Sequence, residues 1–390
     1  MSKIIMHWMP DEKFSRHLID NFNQTPGKHL FLLFPFISSC DYLFVFPDHT
    51  TVLPFYPGTD SMARTITEFK PCAIVLHSMN PGFARELIKI KPTIPVCLIP
   101  WGYELYERAG LGYSLYAPKT LNFLKHRDPL FKFKRWCKKY RIFRSVYYQL
   151  IQRNEDIDSK MYDSFRLVTH LATWIRPDFL LFQSHFNSKV IHFEFPFIRI
   201  DQYLFGEDQA ILNHDARHVL LGNSNSATSN MLDAIPIIAP YIEKSQKVYV
   251  TLSYGKQPGH RKEVILAGKS KLNGRFIPVV DFLPGTEFIA LLKGCIAGVF
   301  NHYRQQAMGT MIAMLYLGSR IYLSEKNPIL TFLKDSGFYI FSLEQDFKNN
   351  LWAPLSSTER FHNRSLIHKK FNRLAVNKQL THLINTLCNH

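Results

Sequence analysis

The stretch from Ala297 to Pro328, AGVFNHYRQQAMGTMIAMLYLGSRIYLSEKNP, constrains the fold more than any other part of the chain. It reads as a buried strand, a polar elbow, a helix of small and apolar residues and a second strand. Such a unit belongs in a parallel sheet covered by helices. The elbow sets Arg304, Gln305 and Gln306 directly before a helix start that includes Gly309 and Thr310. Free backbone N–H groups and the helix dipole at that start favour a phosphate, and Arg304 adds a bidentate cation for the same anion. The geometry suits a nucleotide diphosphate. A cluster of this kind is also a common solvated helix cap, so the elbow alone leaves both readings open.

The pattern recurs along the chain. From Lys3 to about Phe205, apolar runs such as LFLLFPF, AIVLHS, VCLIPW and KVIHFEFP alternate with helical stretches, and a second alternating series begins at HVLLGN. This predicts α/β architecture with two doubly wound domains, for which 390 residues at 46% apolar composition suffice. We expect a first domain over 1–205, a second over 206–345, and a helical tail over 346–390 packing back on the first. Ligands in such sheets bind outside the carboxyl ends of the strands.

An excess of 47 Lys and Arg over 31 Asp and Glu gives a formal charge of +16, which calls for an anionic partner. Much of it lies in an insertion over 118–153, where basic residues from Lys125 to Arg144 interleave with Phe123, Phe131, Phe133, Trp136, Tyr140 and Phe143. This is the composition of an interfacial membrane helix or of an amphipathic helix with a solvated basic face. No helix-turn-helix, RRM or zinc module accompanies the charge, so no nucleic-acid partner is expected. The six cysteines form no C-x-x-C pair, and we expect a reduced chain with neither structural zinc nor disulfides. The N-terminus lacks the features of a secretion signal, and there is no uncharged apolar run of the ~20 residues needed to span a bilayer, so a soluble or peripheral protein is expected.

Further polar elbows follow other strands. His77 precedes an Asn80-Pro81 turn, and Gly102 lets the chain turn between Trp101 and Glu104. Glu104 sits among Trp101, Tyr103 and Tyr106, where an apolar setting raises a carboxyl pKa toward that of a base, or it merely opens a helix. Gly222, Asn223 and Ser224 open a loop rich in hydroxyls before a helix, and Tyr254 and Gly255 close another strand. The loop has neither a P-loop lysine nor the G-x-G-x-x-G pattern, which sets aside an ATPase and a dehydrogenase. Asp156 and Asp158 are discounted as a metal pair because they follow no apolar strand. We expect no metal and no cofactor.

In this order, the elbows resemble those of the TDP-N-acetylfucosamine:lipid II N-acetylfucosaminyltransferases, also called 4-α-L-fucosyltransferases. The resemblance runs from about residue 70 to 340. It rests on His77 with Asn80-Pro81, Trp101-Gly102 with Glu104-Leu105-Tyr106-Glu107, Leu221-Gly222-Asn223-Ser224 with Ser229-Asn230, Ser253-Tyr254-Gly255, Arg304-Gln305-Gln306 with Gly309-Thr310, and Glu325 with Asn327-Pro328. Departures include Glu104 in place of the family's Asp and the stretch Lys256-Gln257-Pro258-Gly259.

The resemblance implies glycosyltransferase-B architecture, two Rossmann-like domains with the site in the cleft between them. It implies a dTDP-sugar donor held by Gly222, Asn223, Ser224, Tyr254, Gly255, Arg304, Gln305, Gln306, Gly309, Thr310, Glu325 and Asn327. A polyprenyl-diphosphate-linked acceptor would meet Asn80, Trp101, Gly102 and Tyr106, with Glu104 the first choice of catalytic residue and His77 the second. That acceptor implies work at the cytoplasmic side of a bacterial inner membrane, with residues 119–144 against the anionic surface. An inactive sugar-nucleotide-binding scaffold is the rival expectation.

Overall fold

The computed structural model describes residues 3–35, 44–106, 112–152, 155–206, 210–255, 257–350 and 352–389. Glu107 and Lys256, both within the family-like stretches, lie outside them. The chain forms two units. One comprises Met1–Gly110, Phe133–Ile198 and Arg373–His390, the other Leu111–Lys132 and Arg199–Asn372.

The first unit holds a seven-stranded sheet of β1 (Ile4–Pro10), β2 (Lys28–Phe34), β3 (Val52–Pro54), β4 (Ala73–His77), β5 (Val96–Ile99), β6 (His170–Ala172) and β7 (Ile191–Phe193). Their spatial order is β3-β2-β1-β4-β5-β6-β7, and every pairing is parallel. Parallel strands are covered on both faces, which is why β4 reads as an unbroken buried run, AIVLH.

The second unit repeats the plan with β8 (His218–Leu221), β9 (Val248–Thr251), β10 (Phe276–Val279), β11 (Cys295–Phe300), β12 (Arg320–Leu323) and β13 (Phe341–Ser342), in the order β10-β9-β8-β11-β12-β13. Val219, Leu221, Val248, Val250, Ala297 and Val299 from its strands and Ile235 and Ile238 from the helix Met231–Ile238 build one apolar core. Strand order reverses between β1 and β4 in the first unit and between β8 and β11 in the second. Loops leaving the carboxyl ends there diverge to opposite faces and leave a crevice, the usual ligand position in this fold.

The units divide the chain differently from the expected domains. Residues 118–153 are not one insertion. The helix Pro118–Arg127 belongs to the second unit, because the Asp233 carboxylate accepts from the N–H groups of Lys119 and Thr120 and from the Thr120 hydroxyl, at 2.8, 2.9 and 2.7 Å. The tail divides as well. Helix Ser357–Phe371, closed at its start by a Ser356/Glu359 capping box, lies in the second unit, and helix Arg373–Cys388 lies in the first.

The expectation of unpaired cysteines is corrected. Cys72, just before β4, and Cys388, at the end of the last helix, form a disulfide with a Cα–Cα distance of 5.3 Å. A separation of 316 residues hides this pair from any spacing rule. The bond fastens the C-terminal helix to the first sheet, alongside the Lys3 ammonium, which donates to the Cys388 carbonyl at 2.6 Å. Cys388→Ser, or addition of dithiothreitol to the wild type, is expected to lower unfolding free energy by about 2–4 kcal/mol in urea titrations. A midpoint unmoved by both would show that the pair contributes no stability.

Candidate active site

In the second unit the crevice is built from the loop after β8 and the elbow after β11. Gly222 turns the chain at the end of β8 with φ +67, and a Cβ there would meet the Met231 side chain at 2.4 Å. Ala307 takes φ +65 to open the helix Met308–Leu317, whose first turn presents Gly309 and Thr310 half-buried. Gln306 joins the two segments. Its amide has two hydrogens and lies within reach of three acceptors, Asn223 Oδ1 at 2.8 Å, Ser229 Oγ at 3.1 Å and Ser224 Oγ at 3.2 Å, while its carbonyl accepts from the Thr228 hydroxyl at 2.8 Å. Below it, Asn230 and Asn301 each donate to the other's backbone carbonyl, at 3.0 and 3.2 Å.

This arrangement separates residues that the sequence grouped together. Gln306 spends its carboxamide on holding the loops together. Arg304 is buried beside it, donating to the Gln305 carbonyl at 2.9 Å and the Thr228 hydroxyl at 3.3 Å. Gly255, with φ +95, approaches so closely that a Cβ would lie 3.1 Å from the Asn225 backbone, and its neighbour Tyr254 is exposed. Asn327 caps the helix Pro328–Asp335 by accepting from the Ile329 N–H at 3.0 Å, and the Glu325 carboxylate accepts from the Ser342 hydroxyl at 3.0 Å.

Several buried polar atoms here have no partner among the described residues: both ring nitrogens of His302, Gln305 Oε1 and Asn327 Nδ2. Buried polar groups are ordinarily satisfied, so their gathering at the ends of β11 and β12 marks where a ligand or water completes the structure. His302 was missed in the sequence because a lone histidine inside an elbow carries no spacing signal. Burial, and then the neighbouring Arg304 charge, push its pKa down to about 3, which keeps the imidazole neutral.

In the first unit, Glu104 stands in the short helix Tyr103–Tyr106, fully buried, and its Oε1 accepts from the Trp101 N–H at 2.8 Å. Burial pushes its pKa up to about 7, against hydrogen bonds led by the Trp101 N–H that hold it down. Trp101 leaves a buried indole N–H with no partner among the described residues, beside Gly102 at φ +95. Tyr106 and Asn80 turn out to be engaged structurally: the tyrosine hydroxyl donates to Asp178 at 2.8 Å, and Asn80 caps the helix Pro81–Ile90 through the Phe83 N–H at 3.0 Å. His77 is buried on the sheet face, with its Nε2 3.0 Å from His7 Nδ1. No group of three or more His, Cys, Asp or Glu side chains is arranged for a metal among the described residues.

A second feature of the first unit is a surface. Around helices Phe131–Lys139 and Arg141–Val146, Phe133, Trp136, Tyr140 and Phe143 cluster half-exposed, with Trp136 and Phe143 ring centroids 4.6 Å apart. Ile142 and Leu150 are 78% and 73% exposed. The Asp156–Asp158 pair anchors this surface: Asp156 faces Arg144 at 3.4 Å, and Asp158 accepts from the Tyr148 hydroxyl at 2.8 Å. Among the described residues no helix is long and apolar enough to cross a membrane.

Residues 168–357 match the family model described as 4-alpha-L-fucosyltransferase, glycosyl transferase group 56, the family that the sequence resembles. The chain is a glycosyltransferase. The matched residues include the whole crevice of the second unit and none of the elbows at His77 and Glu104. Solved structures share its fold over their full length. A glycosyltransferase from Rickettsia africae has a TM-score of 0.62 at 9% identity, covering 99% of this chain and 98% of that one. Sucrose-phosphate synthase from Thermosynechococcus elongatus gives 0.64 at 9%, covering 99% of each. An E. coli trehalose-6-phosphate structure bound with UDP-2-fluoro glucose gives 0.64 at 7%, covering 100% and 99%. The glycosyltransferase therefore has the glycosyltransferase-B fold expected of it.

The raised pKa of Glu104 has a definite sign in stability. A carboxyl that binds its proton more tightly when folded contributes no penalty below its ordinary value of 4.5 and loses stability as pH rises from there to about 7. The glutamine variant carries no such loss. Glu104→Gln is therefore expected to gain on the order of 3 kcal/mol over the wild type between pH 5 and pH 8. Melting curves of the two proteins at those pH values check this, and parallel curves would mean that Glu104 titrates normally.

Proposed function

We propose that this glycosyltransferase moves a deoxyamino sugar, of the 4-acetamido-4,6-dideoxygalactose kind, from a dTDP donor to a polyprenyl-diphosphate-linked saccharide. The process it serves is synthesis of a bacterial surface polysaccharide of the enterobacterial common antigen or O-antigen type. The observation that carries the reading is the buried Arg304 beside the open helix start Met308–Leu317, inside the family-matched region. As the acceptor hydroxyl oxygen bonds to the anomeric carbon, the bond from that carbon to the diphosphate oxygen breaks and the leaving group gains charge. Arg304 and the first-turn N–H groups stabilise that charge, with no reorganisation needed during the reaction. Glu104 takes the hydroxyl proton, a task matched by its pKa near 7.

The test begins with melting curves in the presence of different nucleotide sugars, since the true donor stabilises the folded protein. Transfer is then measured on an extracted lipid-linked acceptor. Arg304→Ala should raise the barrier by about 2 kcal/mol or more, roughly thirtyfold in turnover. Normal turnover in the folded variant removes Arg304 from the mechanism, and donor binding without any transfer favours the inactive scaffold.

The acceptor would bring the protein to the cytoplasmic side of the inner membrane as a peripheral protein. The exposed aromatic and aliphatic side chains between Leu130 and Leu150, flanked by Lys132, Lys134 and Lys138, suit an anionic leaflet. Replacing those three lysines by Gln is expected to release the protein from vesicles containing phosphatidylglycerol and to flatten the salt dependence of what remains bound. Sedimentation with such vesicles reads the outcome, and undiminished binding would move the contact elsewhere.

A further inference from the structure

Three histidines from three different strands meet under the first sheet. His7 lies in β1, His29 in β2 and His77 at the end of β4, all buried and packed around Phe22. His77 Nε2 is 3.0 Å from His7 Nδ1, His7 Nε2 is 2.9 Å from His29 Nδ1, and His29 Nε2 is 3.0 Å from Thr25 Oγ1.

The direction of this chain follows from its last link. The Thr25 hydroxyl donates its single proton to the Phe22 carbonyl at 2.7 Å, because a carbonyl can only accept. Thr25 Oγ1 must then accept from His29 Nε2–H. A neutral imidazole with its proton on Nε2 has a bare Nδ1, so His29 accepts from His7 Nε2–H and His7 accepts from His77 Nε2–H. Burial lowers the pKa of all three rings, to about 4 for His29 and about 3 for His77, which keeps them neutral. The chain ends on the Nδ1 lone pair of His77, a buried acceptor with no donor among the described residues.

Two further observations give that lone pair a setting. It belongs to the residue at the carboxyl end of β4, the strand beside the reversal in strand order. The next residue, Ser78, is held at φ +75, an uncommon backbone state for a residue with a side chain, and its hydroxyl is 3.0 Å from the Tyr103 hydroxyl beside Glu104. Strain and an unsatisfied polar atom at a strand-end crevice are the marks of a place completed by a ligand.

We propose that Thr25, His29 and His7 are positioning residues that hold His77 in one tautomer, so that its Nδ1 accepts a hydrogen bond from a hydroxyl of the saccharide acceptor. The assignment rests on the acceptor reading above. His77 Nδ1 is closed to solvent in the ligand-free protein, so binding must open it, with Ser78 as the residue that yields.

The experiment uses full-length protein labelled with 15N-histidine, and a farnesyl-diphosphate-linked N-acetylhexosamine disaccharide as probe. In the free protein, His77 should show a protonated Nε2 and an unprotonated Nδ1. The probe should shift the Nδ1 resonance in the direction of an accepted hydrogen bond. Thr25→Val removes the anchor far from the ligand: a second His77 tautomer should appear and the acceptor KM should rise about three- to tenfold, with donor KM unchanged, and Thr25→Ser should restore both. A His77 protonated at Nδ1, or an Nδ1 resonance that the probe leaves unmoved, overturns the proposal. A probe-dependent Nδ1 shift in a protein that transfers no sugar would instead overturn the transferase reading and leave the histidine chain standing.

Discussion

One carboxamide holds the candidate active site of the second unit in shape. Gln306 bonds to Asn223, Ser224, Thr228 and Ser229 at once, so the elbow after β11 and the loop after β8 cannot move independently. Without that tie the two segments diverge, since they leave neighbouring strands toward opposite faces. Burying a primary amide is costly unless its donors and acceptor are all used, and here they are. Residues that the family pattern groups as a ligand-binding run therefore split into Gln306, whose carboxamide is taken up by the loops, and Arg304 with the start of the helix Met308–Leu317, which the proposed function sets against the diphosphate.

The satisfied amide gives meaning to the unsatisfied atoms beside it. His302 and Gln305, within a few residues of Gln306, and Asn327, after the next strand, keep polar atoms with no partner among the described residues. Three residues with such atoms follow β11 and β12, as in a surface made to be completed by another molecule, while Thr251, His260 and Arg320 carry others in the same unit. The neutral state of His302 belongs to the same logic, because a second cation beside Arg304 would repel it in a buried setting.

The sequence made the strands and the elbows legible because parallel strands, buried on both faces, stand out as apolar runs and Gly or Asn residues mark where they end. The crevice residues from Gly222 to Asn230 and from Arg304 to Thr310 follow from that reading. What stayed hidden depends on tertiary proximity. Cys72 and Cys388 are joined across nearly the whole chain, and the helix Pro118–Arg127 is claimed for the second unit by Asp233, over a hundred positions away. His7, His29 and His77 sit on separate strands whose register alone brings them together. Side-chain direction was equally hidden: a motif fixes that Gln306 is present, and only packing decides that it points inward.

The two units carry opposite electrostatic characters at their strand ends. In the second, Arg304 and a helix start concentrate positive potential at β11. In the first, the ionisable groups nearest the end of β4 are kept uncharged by burial: His77 and its partners stay deprotonated, and Glu104 stays protonated until about pH 7. A diphosphate that gains charge needs the former environment. A hydroxyl that must be oriented by neutral hydrogen bonds, and relieved of its proton only late, needs the latter, because a permanently ionised carboxylate would have a proton affinity too low to serve as an effective base at neutral pH. Under the proposed function, the difference between these two repeats of one topology places the division of labour in the chemistry of the elbows and not in the sheets that carry them.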